Sequence, residues 1–223
     1  MIRQLSFDLP VRTALGREDF FVSPANAFPV AMIENWQNWP ARKLVLTGPE
    51  GSGKTHLAHV WAARSGAQII SAQSLAGSDI PSLCTTAIAI EDADHIAGHP
   101  EAEEALFHLH NLALAEGHPL LFTSTKAPNA WGITLPDLSS RMEGTPVAAL
   151  EQPDDTLLAA VIMKLFADRQ IVPTAETIPY LVSRIDRSFA TARAMVAQID
   201  QTALDQGRAI NRKLASEILA DFA

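Results

Sequence analysis

Five short apolar runs punctuate the first 150 residues. Lys43–Thr47 (KLVLT), Ala67–Ser71, Thr86–Ile90 (TAIAI), Pro119–Thr123 (PLLFT) and Val147–Leu150 are each a strand's length. Most lack the apolar/polar alternation of a half-exposed strand, as expected of strands covered on both faces. Between them lie helical patterns. Leu57, Val60 and Trp61 fall on one face of Lys54–Arg64, which Gly66 closes, and Glu101–Glu116 runs up to Gly117. Strands alternating with helices predict a parallel sheet with helices on both sides. The pattern changes at Glu151-Gln152-Pro153. Beyond it only amphipathic helices are legible, over Asp154–Arg169, Ala175–Arg184, Ser188–Asp205 and Arg212–Phe222, punctuated by Pro173 and Gly207. At the start, Leu5, Phe7 and Leu9 alternate with Ser6 and Asp8 until Pro10, as in an extended tail. The organisation expected is a tail over 1–10, an α/β domain over 11–151 and a small all-helical domain over 152–223.

Composition narrows the function. With 48% hydrophobic and 19% charged residues, the chain has enough apolar mass for a sizeable core. The net charge of −8 leaves no basic surplus to neutralise phosphates, so tight direct DNA binding is not expected. Cys84 is the only cysteine, which excludes an internal disulfide and reads as a small buried hydrophobe. No apolar run is long enough for a membrane span and no leader pattern opens the chain. A cytoplasmic protein without membrane partners is the expectation. Neither His95/His99 nor His108/His110 completes a zinc site of known spacing. Trp36, Trp39 and Trp61 read as packing, with Trp131 in a loop.

The strongest chemical signal is Gly48-Pro49-Glu50-Gly51-Ser52-Gly53-Lys54-Thr55, which fits G-x-x-x-x-G-K-[ST] between a strand and a helix. Glycines let main-chain N–H groups turn inward around phosphate oxygens, and the following helix adds partial positive charge. Lys54 would contact the β- and γ-phosphates, the Thr55 hydroxyl would ligate Mg²⁺, and His56 follows in the same turn. The expected cofactor is ADP or ATP with Mg²⁺. Glu91 and Asp92, after the third strand, supply acid: one to hold Mg²⁺ through water, with Glu91 the metal candidate, the other to polarise the attacking water. Thr123-Ser124-Thr125 ends the next strand, where Ser124 either approaches the γ-phosphate or belongs to a hydroxyl-rich turn. Arg141, after Leu138-Ser139-Ser140, has the planar fork that suits a transferring phosphoryl group, and a surface ion pair would suit it equally.

The order GPEGSGKT, IAIEDAD, LLFTST, LPDLSSR and a helical lid resembles the AAA+ ATPases, within them the DnaA-related initiator clade. Asp19–Asn26 resembles the segment of that clade that cups adenine, which would bring in Phe21 and Val22. A short chain with no room for a DNA-binding domain, opening Gln4-Leu5-Ser6-Phe7-Asp8-Leu9, is similar to the Hda-type regulators, whose like segment binds the sliding clamp. In that reading Gln4 fixes register and Leu5, Phe7 and Leu9 are apolar anchors. Read without the resemblance, the segment fits equally an edge strand on the chain's own sheet. The resemblance implies a regulator that rides the clamp and presents Arg141 in trans to ATP held by the initiator DnaA. A homodimer is compatible with it. The competing expectations are a self-contained ATPase or loader and a pure adaptor. Two departures stand out. The lid arginine expected early on the second-to-last helix aligns with Ala190, leaving Arg187 and Arg193, one turn to either side, as the candidates to contact the nucleotide in its place, and the acidic pair is Glu91-Asp92 where two aspartates are usual.

Overall fold

The computed structural model describes residues 21–222. The tail residues Gln4, Leu5, Phe7 and Leu9 lie outside them. Five parallel strands, β1 (Lys43–Thr47), β2 (Gln68–Ser71), β3 (Ile88–Glu91), β4 (Leu120–Ser124) and β5 (Val147–Ala149), form one sheet in the order β2-β3-β4-β1-β5. β1 lies inside the sheet, between β4 and β5, and is buried throughout.

Alternation along the strands sorts the core. Leu44, Leu46, Ala89 and Leu121 pack with Val30 and Ile33 of α1 (Ala27–Glu34) and Leu57 and Trp61 of α2 (Lys54–Ser65). Trp39 stacks on Trp61 with ring centroids 5.3 Å apart. On the other face Val45, Ile88, Ile90 and Phe122 meet Leu106 and Leu109 of α4 (Pro100–Ala115) and Leu138 and Met142 of α5 (Pro136–Glu143). The four-residue α3 (Ile80–Leu83) lies against α4. Covering both faces is why the strands read as unbroken apolar runs.

A third cluster belongs to the C-terminal helices α6 (Asp155–Ala167), α7 (Thr177–Val182), α8 (Phe189–Gln206) and α9 (Arg212–Asp221), with Ile162, Phe166, Val196 and Leu214 fully buried in it. Asp154, Ser188 and Asn211 each cap the helix that follows through a side-chain oxygen. No helix among the described residues is long and apolar enough to cross a membrane.

Two expected boundaries move in a way that matters. β3 runs on to Glu91, which pairs in register with Ser71, so Glu91 ends the strand instead of following it. β4 likewise extends to Ser124, opposite Thr47. Trp131, expected in a loop, lies in one, and it is buried there with its indole N–H donating to Ser124 Oγ (3.1 Å) and the Lys126 carbonyl (2.8 Å).

Candidate nucleotide site

The loop from Gly48 to Gly53 joins β1 to α2 at the C-terminal edge of the sheet, and its shape depends on glycine. Gly48, Gly51 and Gly53 have φ of 156°, 72° and 98°. A Cβ on Gly48 would lie 2.7 Å from the Leu150 carbonyl oxygen, and one on Gly51 would lie 2.1 Å from Ser188 Oγ. The cradle therefore admits no side chain at either position. Pro49 and Glu50 form its exposed rim. Gly53 is the N-cap of α2 and no side chain caps that helix, so its first-turn amides are open to an anion.

Lys54 begins α2, only 8% exposed, and its Nζ donates to the carbonyls of Gly48 (2.7 Å) and Pro49 (2.9 Å). Burial lowers its pKa from the ordinary lysine value, against the pull of Asp92, Asp94 and Glu50. The Ser52 amide also turns back on the Pro49 carbonyl, at 3.3 Å, while Ser52 Oγ is buried without a hydrogen-bond partner among the described residues. Donors turned on the loop's own neutral carbonyls are the groups a phosphate would compete for, since charge-assisted bonds are the stronger kind. Thr55 is exposed and His56 half-buried on the first turn of α2. These groups fit a polyphosphate.

Acid lines the end of β3, which β4 separates from β1 in the sheet. Glu91 is half-buried with Oε1 shielded and lacking a partner among the described residues. Asp92 is exposed, in the left-handed conformation at φ 54°, and its amide donates to Thr123 Oγ1 (3.1 Å). Asp94, which is not among the residues expected from the sequence, accepts from the Thr125 hydroxyl (2.6 Å) and amide (3.3 Å) through Oδ2, while Oδ1 is buried and unpartnered among the described residues. The signal that could have found it is its spacing, two residues past Asp92 and opposite the hydroxyl-rich end of β4. Among the described residues no three His, Cys, Asp or Glu side chains form a ready-made metal site. Ser124 departs from expectation: it is fully buried, and its hydroxyl donates to the Lys126 carbonyl and accepts from Trp131. Thr123 and Thr125 are the hydroxyls that face the acidic turn.

The remaining candidates separate. Phe21 and Val22 are exposed ahead of α1, on a turn fixed by buried Asn26, whose amide donates to the Phe21 carbonyl (2.9 Å) and accepts from the Ser23 N–H (2.8 Å). Arg187 is drawn to Asp155 at 2.8 Å, and Arg193 is exposed on α8. What α8 brings to the loop is Ser188 and the amides of Phe189 and Ala190. Arg141 is half-buried on α5. Its Nε donates to Asn111 Oδ1 (2.9 Å), a terminal N–H to the Asp137 carbonyl (2.9 Å), and the guanidinium lies 4.6 Å from the Phe107 ring centre. Its carbonyl accepts from Lys43 Nζ at 2.9 Å. Lys43 opens β1 and the loop follows Thr47, so about 13 Å of strand separate Arg141's anchor from the phosphate cradle.

A parallel sheet in this order, with a P-loop after its internal strand β1 and a helical part that touches the loop, is the AAA+ fold. Within that class the fold is DnaA-like. Domain III of the Thermotoga maritima replication initiation protein DnaA superposes with a TM-score of 0.82 at 19% identity, covering 96% of this chain and 99% of that one. AMPPCP-bound DnaA from Aquifex aeolicus gives 0.70 at 17% identity, over 82% of this chain and 64% of that one. The Thermotoga maritima RuvB Holliday junction branch migration motor gives 0.63 at 18%, over 78% and 60%. By sequence, a Haemophilus influenzae protein described as uncharacterized is 27% identical over 188 residues, 78% of this chain and 80% of its own length. No protein-family model matches.

Proposed function

We propose that this chain is a nucleotide-binding regulator of replication initiation of the Hda type. It holds ADP or ATP with Mg²⁺ in the Gly48–Thr55 loop, attaches to the sliding clamp through Gln4, Leu5, Phe7 and Leu9, and offers Arg141 to ATP bound by DnaA. Residues 152–223 act as its lid. Bound Mg²⁺ would draw charge from the phosphates, with Thr55 and Glu91 as the oxygen donors on this chain.

The observation that carries the trans reading is the place of Arg141. Its carbonyl is tied to Lys43 at the start of β1, the end of that strand opposite to the chain's own P-loop. Its contacts are also telling. Arg187 and Arg208 reach carboxylates, whereas Arg141 is held by an amide oxygen, a carbonyl and a ring face. A guanidinium on neutral holders keeps its charge available for an incoming anion, and a cation delivered where negative charge develops is a large term in phosphoryl transfer.

The test is Arg141→Ala in a reaction of DnaA-ATP, clamp-loaded DNA and this protein. Hydrolysis of the DnaA-bound ATP should fall at least 100-fold toward its unstimulated rate, while ADP affinity of the variant stays within twofold. A variant that still drives hydrolysis at the normal rate would end the proposal. Clamp capture should be lost on replacing Gln4 and Phe7 with alanine, and capture that survives removes the tail from it.

A further inference from the structure

Among the described residues, the hydrogen bond between the C-terminal helices and the phosphate loop is made by main chain. The Phe189 amide donates to the Gly51 carbonyl at 2.9 Å. Around that bond the surfaces are in direct apposition: a Cβ on Gly51 would lie 2.1 Å from Ser188 Oγ and 3.3 Å from the Ala190 nitrogen. Ser188 is the N-cap of α8, and its Oγ accepts from the amides of Ala190 (3.2 Å) and Thr191 (3.4 Å). Those two amides are therefore used within the helix, and Phe189, the first helical residue, supplies the amide that reaches out.

The consequence follows from peptide geometry. In a trans peptide the C=O and the N–H point in opposite directions. Drawing the Gly51 carbonyl toward α8 aims the Ser52 N–H into the concave side of the loop, where the Pro49 carbonyl takes it at 3.3 Å. Lys54 Nζ bonds the same carbonyl. The bond from Phe189 thus fixes the aim of a donor in the phosphate cradle, and displacing α8 would release it. Arg187, the arginine next to the cap, is drawn to Asp155 instead.

We propose that the Phe189 amide is a positioning group for phosphate binding, and that the C-terminal helices sense a bound polyphosphate through this one main-chain bond. The proposal rests on the reading of Gly48–Thr55 as the site of a nucleoside di- or triphosphate. It assigns to main chain a task that an arginine side chain could have performed.

Proline is the clean lesion. It is accepted at the first position of a helix, where it removes the N–H, and the extended Ser188 backbone (φ −138°, ψ 133°) suits a following proline. Phe189→Ala loses the same buried ring and keeps the N–H, so the pair isolates the amide. Affinities for ADP and AMP are compared because AMP lacks the β-phosphate. Phe189→Pro should show an ADP-over-AMP preference about tenfold smaller than Phe189→Ala. Equal preferences in the two variants overturn the proposal. Hydrogen exchange of the wild-type Phe189 amide gives a check that needs no variant: it should be slower with ADP than with AMP, and equal rates overturn the proposal as well. A wild-type chain that binds ADP no better than AMP removes the polyphosphate reading itself, and this inference with it.

Discussion

Lys43 opens β1 and Lys54 opens the helix that follows it, and burial treats them alike. They are 7% and 8% exposed, their ammonium groups are lowered from the ordinary lysine pKa by burial, and each donates to main-chain carbonyls. Their surroundings differ. Lys54 faces an uncapped helix N-terminus, loop glycines and three carboxylates that pull its pKa back up. Lys43 meets His110 Nε2 at 3.2 Å and the Arg141 carbonyl, and no carboxylate reaches it among the described residues. Nearby Arg141 lowers it further. Its second acceptor lies in the last turn of α5, where a cation suits the helix dipole and where the Thr145 hydroxyl donates to the same oxygen. A buried ammonium is thus held in two ways. At Lys54 the acceptors are loop carbonyls that a phosphate can replace. At Lys43 they are fixed by three packed elements, β1, α4 and α5.

The largest expected effect separates the two at once. Lys54→Met should weaken ADP binding about 100-fold by calorimetry, the worth of a buried charge-assisted bond. Lys43→Met, at the start of β1, should change it less than twofold. Similar losses in both variants would dissolve the distinction.

The next effect is a pH dependence confined to the Lys43 end. Burial, then the Lys43 charge, lower the His110 pKa from 6.5 to about 4. With Lys43 donating to Nε2, the ring is neutral in the folded protein, and Nδ1 lies 3.3 Å from Asn111 Oδ1. Between pH 6.5 and 4 the unfolded chain binds a proton that the folded chain refuses, so stability falls as pH falls through that window. From pH 6.5 to 5 the expected loss is about 1.5 kcal/mol. Urea unfolding should show it, and His110→Gln, which keeps an acceptor for Lys43 but cannot titrate, should flatten that part of the curve. An unchanged slope in the variant would assign the acid sensitivity elsewhere.

Glu103 supplies the anionic counterpart of the two lysines. At 1% exposure its carboxylate accepts from the amides of Gly98, Thr134 and Leu135 and from the Thr134 hydroxyl, joining the first turn of α4 to the segment before α5. Burial raises its pKa, and these bonds outweigh burial to leave it below the ordinary glutamate value. Its stabilising effect is present above the unfolded-state pKa and lost as pH falls through the lowered folded value.

These contrasts mark what a sequence can carry. The five strands were legible because both faces are covered, and the phosphate loop because its glycines are demanded by backbone conformation within eight consecutive residues. Lys43 reads as the first letter of a strand, and nothing local says that His110, 67 residues on, will take its proton-bearing nitrogen. Ser124 fell in a hydroxyl-rich run, and only the fold reveals that Trp131 claims it. The contact of Phe189 with Gly51 is made by main chain, which leaves no mark in residue identity.

Asp94 gives the smallest and most selective prediction at the Lys54 end. One of its oxygens takes the Thr125 hydroxyl and amide, and the other is buried with no hydrogen-bond partner among the described residues. Asp94→Asn can keep the first oxygen as a carbonyl, so the tie between β3 and β4 survives and the stability cost should stay below about 1 kcal/mol. What the variant removes is one negative charge that acts on Lys54. Without Mg²⁺ that charge opposes the phosphates, so ADP should bind the variant two- to threefold more tightly, by the weak Coulomb term expected near a surface. With Mg²⁺ the same charge favours the bound cation, so the gain should vanish or reverse. Titrations with Mg²⁺ and with chelator read the sign directly. A gain of the same size in both would mean that Asp94 acts on Lys54 alone and has no part in holding the metal.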